Sequence, residues 1–381
     1  MKRKSILLVF ILGLGILTGA AWQPEKAEAD SDVMNFTLDE AIEYGLKNSP
    51  EIKKLEIDEK IAEVNLKSAK SGASKSKDAR DKYSTGTSWE TLQVEMVNPV
   101  LQEANYKIQE KSLRHMRDAL KLQIEKKYYD VIYAKKSLEN SQESLDRANE
   151  ELRLAEVKYE VGNIAKIGVK QAEAQAASKQ ASYIAAKNKY QNEIMAFNKL
   201  LGLPLDAKIN LISGLELKGE DINLEAAISE AIEKDISVFS KREMLKVAEV
   251  SLEAAKKIYS PKVNTYKQML YELEKSKIDL QEQEKELKMT IKETYLSLKA
   301  LEGQYEALEK AVDAASEGYR LTKISYEVGI ATQVELMQRA EELHQAETNL
   351  LNVLYNYNVL KAQFQNRIFL TSPGGTGGQN G

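Results

Sequence analysis

Two histidines, His115 and His344, and adjacent carboxylates such as Glu150–Glu151 and Glu341–Glu342 are the side chains best suited to ligate a metal or pass a proton. A transition-metal site needs three or four such ligands converging at set spacings. Each histidine instead stands alone in a helical pattern, and the acidic pairs recur as solvated flanks of that pattern. There is no cysteine, which removes disulfides, thiolate metal sites and a lipidated N-terminal cysteine. No phosphate loop, nucleophile elbow or Ser/His/Asp arrangement is present. The glycines of the C-terminal SPGGTGGQNG follow no strand and precede no helix. Several of the 18 tyrosines fall on apolar seams, where packing with a hydrogen-bonded tip accounts for them. The sequence therefore predicts no enzyme, no metal and no cofactor.

What remains is architecture. Apolar residues make up 43% and charged residues 29%, with six prolines in 381 residues, a balance that suits long amphipathic helices. The segment Ile124–Tyr159 returns as Ile291–Tyr326 at an offset of 167, most clearly as YEVG at Tyr159–Gly162 and Tyr326–Gly329. Leu38 in the opening FTLDEAI matches Leu224 at an offset of 186, so the first copy is longer by 19 residues. A duplication of this size implies two structural halves.

Each copy carries a seam of steps of three and four. The first runs Ile124, Tyr128, Val131, Ala134 and on to Tyr159; the second runs Ile291, Tyr295, Leu298, Leu301 and on to Tyr326. A mean step of about 3.5 is the coiled-coil seam. No proline or glycine interrupts Val100–Val161, so a helix of about 60 residues, roughly 90 Å long, is expected there. Gly162 and Gly329 are the expected stops. Thr332 and Glu335 form a capping box for the next helix, whereas the first copy has Ala165 and Gly168 at the matching positions.

The ends read differently. Lys2, Arg3 and Lys4, the apolar run Ile6–Ala21 and Ala27-Glu28-Ala29 predict a cleaved export signal over 1–29. Net charge is −4, and −6 without those residues, with no nucleic-acid footprint. The most basic stretch, Lys67–Arg80, is diluted by Ser, Ala and Asp78 and reads as a solvated face. The expected organisation is a signal peptide at 1–29, a first helical repeat with its linker at 30–221, a second repeat at 222–371, and a flexible Gly-rich tail at 372–381.

These features together resemble the TolC family of outer-membrane efflux ducts. The residues that carry the resemblance are the opening FTLDEAIEYGLKNSPEI, the duplicated YEVG turn, the capped Thr332-Gln-Val-Glu-Leu336, Leu200-Leu-Gly-Leu-Pro at the close of the first half, and the run Ala254–Pro261. The resemblance implies an all-α fold of long antiparallel coiled-coil helices in a duplicated α-barrel protomer. It implies a homo-oligomer, a trimer in the family, that docks the membrane-fusion (adaptor) protein of an ABC or proton-driven exporter. By the same resemblance Val161, Gly162 and Asn163, with Val328, Gly329, Ile330 and Thr332, are the docking turns. A non-conducting coiled-coil scaffold of the cell envelope is the alternative.

The chain departs from the family where a membrane β-barrel is expected. After Pro261 a helical pattern resumes almost at once, and in the first copy only Leu92, Val94 and Met96 alternate as a strand should. A membrane strand needs about 9–11 alternating residues. At most a vestigial β-hairpin is expected, and membrane association rather than a spanning barrel.

Overall fold

The computed structural model describes residues 33–219 and 222–369. The predicted signal peptide at 1–29, linker residues 220 and 221, and the tail at 372–381 lie outside the described residues.

The chain opens with strand β1 (Met34–Phe36) and helix α1 (Leu38–Asn48), which Thr37 starts with a capping box: Glu40 N–H donates to Thr37 Oγ1 at 3.3 Å, and Thr37 N–H donates to the Glu40 carboxylate at 2.8 Å. Ser49 then caps α2 (Pro50–Tyr83), with Pro50 at the first position, where its missing N–H costs nothing. A short helix α3 (Trp89–Leu92) and a π-helical turn (Gln93–Val97) lead into α4 (Asn98–Glu160), a helix of 63 residues. After α5 (Lys166–Leu201) come β2 (Ile209–Leu211), α6 (Leu224–Lys234) and α7 (Ile236–Ile258). Then α8 (Asn264–Glu327) runs for 64 residues, and α9 (Gln333–Asn366) follows it.

α4 packs on α5 and α9 along one half and on α2 and α7 along the other, while α8 packs on α9 and α7. Two aromatic-rich cores brace the middle. One gathers Phe36, Ile124, Tyr128, Phe197 and Leu201, the other Val238, Leu287, Ile291, Tyr357 and Phe364. The buried Tyr128 hydroxyl donates to the Phe36 carbonyl at 3.1 Å and accepts from Ser213 N–H at 2.9 Å. That pair of bonds holds β1 and the segment after β2 against α4. The two strands pair in parallel, Met34 opposite Ile209, an element the sequence reading did not contain.

The seams differ in burial. Ile124, Tyr128, Val131, Ala134, Leu145, Ala148 and Ala155 of the first are buried, but only Ile291, Leu298 and Tyr326 of the second. Among the described residues, α4 has packed neighbours on both flanks, whereas one flank of α8 has none. Tyr271, Ile278, Met289 and Leu296 stay exposed along one line of α8, and Ile57, Ile61 and Val64 do so on α2.

Leu92, Val94 and Met96 form no strand. Leu92 is buried at the end of α3, and the other two lie in the π-helical turn. Pro99 supplies the reason: it has no N–H for the carbonyl four residues back and its ring crowds that carbonyl, which a widened turn relieves. Glu95 fixes this turn to α2 through Arg80 at 2.7 Å and Ser76 at 3.2 Å. Beyond Ala254–Pro261 the chain likewise turns directly from α7 into α8. Among the described residues no β-hairpin forms at either site: α3 and the π-helical turn occupy the first, and the short turn Tyr259–Val263 the second.

Candidate docking tip

The two YEVG runs end their helices in the same way. Val161 and Val328 close the last turns, and Gly162 and Gly329 then take φ of +78° and +83°. This left-handed region favours glycine. Asn163 N–H donates to the Lys158 carbonyl at 2.8 Å and Gly162 N–H to the Tyr159 carbonyl at 3.0 Å. Ile330 N–H to Ser325 (2.8 Å) and Gly329 N–H to Tyr326 (3.1 Å) repeat the pattern. The restarts differ as expected: Thr332 caps α9 with Glu335, whose backbone N–H donates to it at 3.3 Å, whereas Ala165 gives α5 no side-chain cap.

These turns leave apolar side chains in the open. Val161 is 65% exposed, Val328 66% and Ile330 82%, and Ile167 and Val334 project beside them. Exposed aliphatic groups concentrated on two adjacent turns form a sticky end rather than a solvated one.

A cleft of about 550 Å³ opens between the turns, lined by Lys158, Asn163, Tyr326, Val328, Thr332 and Gln333. Lys158 donates to the Tyr326 carbonyl and holds its ammonium 4.2 Å from the Tyr326 ring centroid. Gln333 is only 8% exposed, yet neither its amide nitrogen nor its amide oxygen has a hydrogen-bond partner within the protein. The Tyr326 hydroxyl is also buried without a partner. Buried polar groups left this way carry a desolvation penalty of about 1–3 kcal/mol each. A ligand that supplies a donor and an acceptor here would remove it.

Deeper along the same helices lies a charged belt. Arg147 reaches Glu347 at 3.0 Å, Lys179 reaches Glu341 at 2.6 Å and Lys323 reaches Glu150 at 3.7 Å. Glu151, 3% exposed, has its carboxyl pushed up to about 7 by burial, against the opposing pull of Arg147, Lys179, Tyr319 and Lys323. Burial and the Glu151 charge push Tyr319 up to about 12. Burial, followed by Lys179, holds the His344 imidazole below its ordinary range. Among the described residues no group of His, Asp or Glu is arranged to hold a metal ion.

The structure thus puts Val161, Gly162 and Asn163 and Val328, Gly329, Ile330 and Thr332 at one end, with Asn163, Val328, Gly329 and Thr332 on the same cleft. Lys158, Tyr326 and Gln333 complete the cleft, a part the repeat pattern alone does not assign to them. A signal for two of them existed: at the repeat offset Lys158 faces Ser325 and Gln333 faces Lys166, so the copies differ where the cleft is built.

The profile of the outer membrane efflux protein family matches residues 62–203 and 241–365. No curated protein matches the chain. Among solved structures, the outer membrane protein VceC of Vibrio cholerae superposes with a TM-score of 0.69 at 15% identity, covering 87% of this chain and 96% of that one. A membrane protein from Pseudomonas aeruginosa gives 0.68 at 12% identity, covering 89% and 91%. The CmeC outer membrane channel of Campylobacter jejuni gives 0.62 at 14%, covering 88% and 87%. At these identities the likeness is one of fold.

Proposed function

The chain belongs to the outer membrane efflux protein family, and from that membership we propose that it is the envelope duct of an exporter, docked at its glycine turns by a membrane-fusion adaptor protein. The work is geometric, confining a solute path without covalent chemistry. The first 29 residues direct export, and the pump behind the adaptor is an ABC or proton-driven transporter.

Copies associate edge to edge. The unpartnered flank of α8 in one meets α2 and α5 of the next, burying Ile278, Met289 and Leu296 against Ile57, Ile61 and Val64. Such a head-to-tail contact closes into a ring when its rotation allows, with three copies by family resemblance.

The observation that carries the docking reading is Gln333. Its buried amide has no partner on either atom and faces a cleft rimmed by exposed Val328 and by Asn163. A partner helix that inserts one polar side chain among aliphatic ones would satisfy both. The short irregular turns at Ser84–Ser88 and Tyr259–Val263 favour a second reading, an envelope scaffold that conducts nothing.

Photo-crosslinkers placed at Asn163 and Ile330 in cells, with mass spectrometry of the captured partner, separate the two. An adaptor's helical hairpin is expected on both. Self-crosslinks alone, from well-expressed protein, would sink docking and leave the scaffold.

A further inference from the structure

We propose that the end of the helices opposite the Gly162 and Gly329 turns is a peripheral docking surface for an anionic phospholipid membrane. The turns Ser84–Ser88 and Tyr259–Val263 lie side by side there. The Trp89 and Tyr259 rings are 5.8 Å apart, and Lys257 Nζ reaches the Met96 sulfur at 3.3 Å.

This contact merges two basic segments that the sequence keeps far apart. Residues 75–91 and 256–271 together hold eight Lys and Arg against three Asp and Glu, in a chain whose net charge is −4. Lys75, Lys77, Lys82, Lys256, Lys262 and Lys267 are all exposed. Among the described residues, the one basic group of this set held by a carboxylate is Arg80, on Glu95 and Asp81. On α2 alone, Lys75 and Lys77 read as a solvated face; with the second hairpin beside them the lysines form an end of net positive charge. It is complementary to a surface of negative charge.

The side chains between the lysines select the kind of surface. Tyr83 is 67% exposed and Val263 39%, on or next to the two turns, and Tyr271, 63% exposed, lies about two helical turns further along α8. A soluble polyanion would use the ammonium groups and leave the rings in water. A lipid headgroup layer takes both, because tyrosine rings partition to the interface while lysines meet the phosphates. No helix among the described residues is long and apolar enough to cross a membrane, so the contact proposed is with the surface.

The test is flotation of the protein, purified from its envelope fraction, with vesicles of phosphatidylcholine alone or with phosphatidylglycerol added. Binding to the anionic vesicles is expected to be about tenfold tighter than to the neutral ones, and to fall away in high salt. K75E/K82E/K262E is expected to lose about tenfold, while reversing Lys60, Lys187 and Lys288, far from this end on α2, α5 and α8, leaves binding unchanged. The N-terminus is common to all variants, so it does not enter the difference. Should the triple reversal fail to fold by circular dichroism, Y83S/Y271S decides, with weaker vesicle binding expected. Equal binding to both vesicles, or unchanged binding by the decisive variant, would overturn the proposal. So would capture by soluble poly(glycerol phosphate) with no vesicle binding.

Discussion

The Lys158 ammonium lies 4.2 Å from the centre of the Tyr326 ring and donates a hydrogen bond to the Tyr326 carbonyl, tying the last turn of α4 to the last turn of α8. A part-buried cation over a ring contributes about 0.5–2 kcal/mol. Lys158→Met keeps the apolar stem and removes the charge. Amide exchange at 322–333 should then quicken roughly threefold to thirtyfold while the two aromatic cores stay protected. Unchanged exchange would show that the two turns are held by packing alone.

At Gly162 and Gly329 an added Cβ would meet nothing within 4 Å, so any penalty for alanine comes from the backbone. A left-handed conformation costs an L-residue about 1–2 kcal/mol. Gly162→Ala and Gly329→Ala should each lower Tm by a few degrees, and asparagine, which tolerates this region, should lower it less. Equal losses for alanine and asparagine would point to something other than φ.

Glu151 gives a pH dependence with a definite sign. Its carboxyl is raised from 4.5 to about 7 in the folded chain, so the stability it contributes is full below about pH 4.5 and is lost as pH rises through about 7. The upper bound is about 3 kcal/mol. His344, held low by burial, acts the other way: its neutral folded form gains as pH rises towards 6.5. The readout is therefore the difference between the wild type and Glu151→Gln, followed by Tm from pH 5 to pH 8. Glu151→Gln should lose less stability over that range. Parallel curves would place the Glu151 titration outside it.

The exposed line on α8 predicts how copies meet. Leu296 is 66% exposed and Ile61 53%, so Leu296→Lys or Ile61→Lys should change the stability of the single chain by no more than about 0.5 kcal/mol. Each should lower the mass found by light scattering from oligomer towards protomer. An oligomer that survives both would move the interface away from these edges.

Much of the fold is legible along the chain because its determinants are local. The seams, the glycine stops, Pro50 and the Thr332–Glu335 box act within one or two turns, and each element they define is present. The strand-like alternation of Leu92, Val94 and Met96 misled because Pro99, a few residues on, imposes a widened helical turn instead. The candidate tip is half legible. Its turns were readable as duplicated helix stops, but its cleft was not, since Lys158 and Tyr326 are 168 residues apart.

By itself the sequence determined helix, length, period and stop, all set by contacts no further than the next turn. Tertiary structure decided which faces were left over. It paired Met34 with Ile209, closed α4 on both flanks but α8 on one, left Gln333 without a partner, and brought the lysines of two hairpins to one end. Those outcomes depend on which elements pack together, and no short-range pattern encodes a neighbour that arrives from a hundred or more residues away.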